Sequence, residues 1–443
     1  LVNPSVDFSK RSVIPFFLQC WDNTPLNKKI VLKNIAWVDE VLNKIDIQSF
    51  SNTYVELLAI SVFGVDKPGI VYKITNVLAE ANVNIVDIEQ NVLQGIFTMF
   101  LVADVSKATV STEEIERKLK EAARQIDVQV HISPFKRMEQ RDKKRYVITV
   151  IGKDRVGIVR DVSRILFSHG VNIERTSLTA RDKLISVTLE VDLRGADIEV
   201  IKKRLKEEIE KTGLDVIIQP YEIAMEEKKL IIFDMDSTLV DAEIIDELAK
   251  AAGVEEEVKK LTEKAMNGEI DFKNALEERV KLLKGLPVEV MERIYENIKL
   301  TEGAKELIES LKKAGYKVAL VSGGFTFFTE KLKKELGLDY AFGNELEIKD
   351  GKLTGRLKGR IITAEEKAKI IEEIAKKEGI KRENIVAVGD GANDKIMIEK
   401  AGLGIAFNAK KALKEVADGS LSKENLIGLA SVLKLPSEFK RRV

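Results

Sequence analysis

The sequence has a single cysteine, Cys20, in 443 residues, which excludes a disulfide framework and any thiolate metal cluster. Its two histidines, His131 and His169, exclude a histidine-rich metal centre. No apolar run approaches the length of a spanning helix, so no part of the chain is expected to cross a membrane. The run 13–18, after Lys10 and Arg11, is too short for the apolar core of a signal peptide, and a cytoplasmic location is the expectation. Charge of one sign is also missing, since 72 basic residues balance 72 acidic ones. A nucleic-acid footprint needs a basic surplus, so no nucleic-acid partner is expected.

What is present suits several folded cores. Hydrophobic residues make up 44% and charged residues 33% of a chain long enough for more than one domain. Residues 1–52 stand apart. They hold the only cysteine, both tryptophans (Trp21 and Trp37) and no sustained hydrophobic period. Two readings fit this N-terminal segment: an extension that packs on the next domain, or a stretch translated from upstream of the natural start.

An internal repeat follows. Asp66, Gly69, Ile70, Val71, Val83, Asn84 and Ile85 recur as Asp154, Gly157, Ile158, Val159, Val171, Asn172 and Ile173, each 88 positions later. Two copies at that period indicate a duplicated domain and not a solenoid. Each copy reads as strand, amphipathic helix, two strands, charged helix and strand. This is the ferredoxin-like βαββαβ order, expected over 53–137 and 145–224.

From residue 229 to 443 the pattern changes to short β-rich runs alternating with helical stretches, which predicts a Rossmann-like α/β fold with a parallel sheet. About seventy mostly helical residues lie between the first two of these runs, far more than one crossover needs. A helical cap inserted over about 242–300 is the expectation.

Four signals fall at the ends of predicted elements. The run 230–233 delivers Asp234 and Asp236, the run 318–321 delivers Ser322, Gly323 and Gly324, Lys367 opens a helix, and the run 385–388 delivers Gly389, Asp390, Asn393 and Asp394. Singly, each is an ordinary turn, cap or solvated charge. Together they meet where open α/β sheets bind ligands. Acidic oxygen ligands without histidine or cysteine suit a hard cation, and Mg²⁺ is preferred beside phosphate. Mg²⁺ held by Asp234 and Asp390 would screen a phosphate dianion from a carboxylate nucleophile. Ser322, the Gly323 N–H and Lys367 would hold the remaining phosphoryl oxygens. A second aspartate beside the nucleophile can act as acid and then as base.

FDMDSTLVDAE, VSGG, the later lysine and GDGAND resemble the four motifs of the haloacid dehalogenase-like superfamily, and residues 229–435 are similar to the phosphoserine phosphatases over nearly their whole length. The repeats resemble ACT domains, amino-acid-sensing modules. The resemblance implies Asp234 as the nucleophile that becomes an aspartyl phosphate and Asp236 as general acid and base, its carbonyl on Mg²⁺. It implies Asp390 as metal ligand, Asp394 as support behind the metal, and Asn393 against substrate or phosphoryl group. In the cap, Glu243 would meet an ammonium, Arg279 a carboxylate and Phe272 would close an apolar lid, which specifies phosphoserine as substrate. ACT domains commonly hold a ligand near the loop glycine, here Gly69 or Gly157, with L-serine as the candidate effector, and they assemble side by side, so a homodimer is expected. The alternatives are a related phosphatase, a phosphotransferase, or an amino-acid sensor whose hydrolase domain is vestigial.

Overall fold

The computed structural model describes residues 57–136, 142–181, 184–266 and 269–435, so the N-terminal segment 1–52 lies outside the described residues. The chain divides at Arg141 into two compact units.

In the first unit β1 (Leu57–Val65), a helix (Ile70–Glu80), β2 (Asn84–Leu93), β3 (Ile96–Asp104), a helix (Thr112–Gln125) and β4 (Val128–Phe135) follow in order. They form an antiparallel sheet, β2-β3-β1-β4, which is the ferredoxin-like topology. Alternation sends Leu58, Ile60 and Val62 of β1 and Phe97, Met99 and Leu101 of β3 to one face, where Ile70, Ile74, Leu78, Ile115 and Leu119 of the two helices cover them. Ser111 caps the second helix, its hydroxyl accepting the Glu114 N–H at 3.3 Å.

The second unit opens with the other copy: β5 (Arg145–Lys153), a helix (Ile158–Ser168), β6 (Asn172–Arg181), β7 (Leu184–Asp192), a helix (Ile198–Ile209) and β8 (Asp215–Pro220). The C-terminal region supplies β9 (Leu230–Phe233), β10 (Lys317–Phe325), β11 (Tyr340–Lys349), β12 (Lys352–Lys358), β13 (Ile385–Gly389), β14 (Leu403–Phe407) and β15 (Gly419–Leu421). β9, β10, β13 and β14 run parallel, and β9 lies between β10 and β13. Every residue of β9, β13 and β14 is buried, because helices cover both faces; this is why the runs are continuously apolar. The strand order reverses at β9, so the crevice for a ligand opens beyond its carboxyl end.

Four helices, Ile244–Ala252, Glu255–Met266, Phe272–Leu282 and Val288–Asn297, form the insertion between β9 and β10. The chain leaves and returns side by side, with the Asp241 N–H donating to the Lys299 carbonyl at 2.9 Å. The β11–β12 hairpin grips the end of the third helix: the Gly285 N–H donates to the Leu353 carbonyl at 2.8 Å, and the Leu353 N–H to the Leu286 carbonyl at 2.9 Å.

For the ACT copies to assemble side by side, each ferredoxin-like copy would have to keep an open sheet face and free edge strands, and the structure corrects this for the second copy. In the second copy the β8 edge pairs with β15, Gly419 opposite Ile217, so a single 11-stranded sheet runs through both regions. The face is covered as well, since Ile151 and Ile217 belong to the same core as Phe233 and Leu426. Polar ties seal the junction: Lys206 Nζ donates to the Lys414 carbonyl at 2.8 Å and Ser420 Oγ to Glu210 at 2.7 Å. Among the described residues no helix is long and apolar enough to cross a membrane.

Candidate active site

The apolar strand β9 ends in Asp234, and its sheet neighbour β13 ends in Gly389 and Asp390. Lys367 comes from the helix Ala364–Glu378, which starts three residues earlier than the sequence pattern predicts because Thr363 caps it. That puts Lys367 in the first turn, aimed along the sheet end. It is fully buried and bridges two carboxylates, Asp234 Oδ1 at 2.8 Å and Asp394 Oδ1 at 2.7 Å. Burial alone would lower the Lys367 ammonium, but these two carboxylates reverse that and hold it above its ordinary value.

The other carboxylates are forced the opposite way. Burial, reinforced by Asp394, pushes Asp234 up to about 7 despite Lys367. Burial, with Asp234 and Asp394 nearby, pushes Asp390 up to about 8. Asp236 is raised well above the carboxylate range, first by burial and then by the charges of Glu243 and Asp234. It accepts the Ile244 N–H at 2.9 Å, and Ser322 Oγ lies 3.4 Å from its other oxygen.

β10 carries Ser322, Gly323 and Gly324. Its ladder to β11 breaks between Val321 and Phe325, where three residues face the single Gly343. The extra residues bulge toward the crevice. The Gly324 N–H donates to Ser322 Oγ at 2.7 Å. A side chain on Gly324 would come within 2.9 Å of Asp236 Oδ2 and 2.6 Å of the Met235 methyl, so only glycine admits this approach.

The cap contributes the outer wall. Phe272 opens the helix Phe272–Leu282 and Arg279 lies two turns on, on the same face, as the spacing predicts. The Phe272 ring stands over Gly323, 3.2 Å from where a Cβ would be. Arg279 is buried, with its Nε–H on the Ala275 carbonyl at 3.2 Å, and burial lowers its pKa against the pull of Asp246, Glu243 and Asp236. Glu243 accepts the Ser237 hydroxyl at 2.7 Å, and burial raises its pKa.

The profile of the haloacid dehalogenase-like hydrolases matches residues 228–402, and that of the ACT domain matches 56–133 and 144–219. A phosphoserine phosphatase of Archaeoglobus fulgidus is 66% identical over 347 residues, 78% of this chain and 100% of its own length. The chain belongs to the phosphoserine phosphatase family. A member from Mycobacterium tuberculosis is 38% identical over 82% of this chain and 89% of its own length. The unliganded crystal structure of a probable phosphoserine phosphatase from Vibrio cholerae is 33% identical and covers 65% of this chain and 86% of its own, with a TM-score of 0.53.

Within this family site, Asp234, Asp390 and Asp394 each bring one carboxylate oxygen within 4.8 Å of the others. Asp394 is already committed: one oxygen takes Lys367, and the other accepts the N–H groups of Asp390 and Gly391 at 3.1 Å. Direct ligation of a hard cation therefore fits Asp234 and Asp390, with Asp394 behind them, and the raised pKa values mark a crowd of negative charge that a cation would relieve. Asn393 folds its side chain over Gly391.

Gly69 and Gly157 both take left-handed φ, 97° and 96°, directly before a helix, a backbone that favours glycine. They differ in cover. Space is open around Gly69, whereas the Arg160 guanidinium lies 3.1 Å from a Cβ position on Gly157. Two residues at the site escaped the sequence reading. Ser237 holds a left-handed φ of 53° and orients Glu243. Asn344, fully buried behind the β10 bulge, carried no motif signal.

Proposed function

We propose that the chain hydrolyses O-phospho-L-serine to L-serine and phosphate, with Mg²⁺ as cofactor. The observation that carries the reading is the buried Asp234–Lys367–Asp394 ladder beside a protonatable Asp236, roofed by Arg279 and Glu243. Asp234 attacks phosphorus; its carboxylate oxygen forms the new P–O bond as the bond to the serine oxygen breaks. Burial and the charges of Glu243 and Asp234 favour the protonated form of Asp236, which gives its proton to the leaving alkoxide. It then takes a proton from the water that attacks the aspartyl phosphate, which returns Asp234 and frees phosphate. Ser322, Gly323 and Lys367 grip phosphoryl oxygens, and Asn393 lies against the substrate or the phosphoryl group. Mg²⁺ on Asp234, Asp390 and the Asp236 carbonyl would supply neutralisation of the phosphate charge.

Arg279 takes the substrate carboxylate, Glu243 its ammonium, and Phe272 closes the apolar side. The open loop at Gly69 suits an amino-acid effector such as L-serine better than the Arg160-covered loop at Gly157. The first copy remains the surface for a homodimer. The domain limits 53–137, 145–224 and 229–443, with the cap over about 242–300, and a cytoplasmic location complete the reading.

The test is phosphate release from phosphoserine, phosphothreonine and phosphoethanolamine, with and without Mg²⁺. Phosphoserine is expected to be turned over fastest and only with the metal. In Asp234→Asn, turnover falls by at least about 10³-fold. Wild-type turnover in that variant would remove Asp234 as nucleophile.

A further inference from the structure

We infer that Asn344 is a positioning residue that holds the two phosphate-gripping arms, the Ser322–Gly324 bulge and the Lys367 helix, in one geometry. The inference rests on the reading of that pocket as the phosphoryl site.

A bulge of this kind has lost its ladder bonds. Three residues of β10 face the single Gly343 of β11, and regular pairing returns only at Phe325 opposite Asn344. Something other than the ladder must therefore hold the Gly323–Gly324 peptide. Asn344 Nδ2 donates to the Gly323 carbonyl at 2.7 Å. With that carbonyl pinned outward, the N–H of the same trans peptide points the other way, onto Ser322 Oγ at 2.7 Å, and Ser322 in turn faces Asp236 at 3.4 Å.

The other end of the amide reaches the second arm. Asn344 Oδ1 accepts the Ile362 N–H at 2.8 Å. Ile362 precedes Thr363, the cap of the helix Ala364–Glu378, and the Lys367 N–H donates to the Thr363 carbonyl at 2.9 Å. One partner is an acceptor and the other a donor, so only a carboxamide satisfies both, and its orientation is set by them. Asn344 is fully buried, so water cannot replace either bond.

The experiment compares Asn344→Ala and the nearly isosteric Asn344→Asp with wild type. It measures kcat/KM for phosphoserine, inhibition by inorganic phosphate, the phosphoserine-to-phosphoethanolamine ratio and Tm. Asp keeps the acceptor but sets a carboxylate against the Gly323 carbonyl. In both variants kcat/KM should fall by about 10²-fold per folded molecule, the reach of a small misplacement. Inhibition by phosphate should weaken roughly tenfold. The substrate ratio should stay within about twofold, because Arg279 is untouched. A lower Tm with kcat/KM and phosphate inhibition unchanged would overturn the inference and leave a packing role.

A measurement on wild type covers the case in which neither variant folds. Side-chain amide resonances of isotopically labelled asparagine are followed as inorganic phosphate is added. The Asn344 signal should shift at saturation; no shift overturns the inference. A wild-type enzyme that fails to release phosphate from phosphoserine overturns the functional reading instead, so the two failures are distinguishable.

Discussion

Under the proposed function the buried Arg279 guanidinium, with Asp246, Glu243 and Asp236 around it, takes the substrate carboxylate. Removing one partner of such a buried pair costs about 2–5 kcal/mol. Arg279→Ala should therefore lower kcat/KM for phosphoserine by roughly that amount, while phosphoethanolamine, which lacks the carboxylate, changes little. Equal losses on both would remove the clamp. The aspartates carry a second prediction. Asp234 and Asp390 are raised in the folded protein to about 7 and about 8 from 3.8. The folded state then binds more protons than the unfolded one, so the stability these groups contribute is full below the unfolded value and is lost as pH rises through 7 to 8. A divalent cation binds the deprotonated pair and offsets that loss. Mg²⁺ should raise Tm more at about pH 8.5 than at about pH 6, read by scanning calorimetry. An equal shift at both would count against ligation by these carboxylates.

At the scale of elements, the β11–β12 hairpin joins the sheet to the cap. Leu353 is 2% exposed and makes two backbone bonds to the cap segment 285–286. Leu353→Ala leaves those bonds but opens a cavity, at a cost of about 2–5 kcal/mol in chemical denaturation. Hydrogen exchange should speed in the helix Phe272–Leu282 ahead of the central strands, since that helix depends on the hairpin. Uniform loss of protection would mean that the hairpin is part of the main core. The sequence carried the cap's helical pattern but not this contact, because a hairpin that docks across 65 or more residues leaves no local period.

For the second unit as a whole, the 11-stranded sheet changes what a truncation means. A fragment beginning near Glu226 strips β8 from β15 and uncovers the neighbours of Ile151 and Ile217, both fully buried. Burying one such side chain contributes about 1.5–3 kcal/mol. With two such side chains lost, about 3–6 kcal/mol, the fragment should melt about 6–24 °C below one beginning at Asp142, at about 2–4 °C per kcal/mol, and self-associate through the exposed edge in sedimentation. Equal melting of the two would make the junction incidental. Serine inhibition is therefore better compared between full-length protein and a Gly69 variant than by truncation.

The sequence by itself determined the duplicated ferredoxin-like copies, the parallel sheet and the residues at its carboxyl ends. Strand alternation, glycine-bearing turns and carboxylates at strand ends are local features, and local features are written in consecutive residues. That Phe272 and Arg279 share one helix face was legible for the same reason, since they are seven residues apart on a single helix. Tertiary structure alone decided the fate of charge and of surface. The Asp236 carboxyl is raised because burial and the charges of Glu243 and Asp234 converge on it from separate segments. The second copy loses its free β8 edge because Gly419, more than 200 residues away, pairs with Ile217. Asn344 matters because it spans Gly323 and Ile362, which no spacing joins. Desolvation and long-range contact depend on what surrounds a group in space, and a periodic reading of the chain has no access to that.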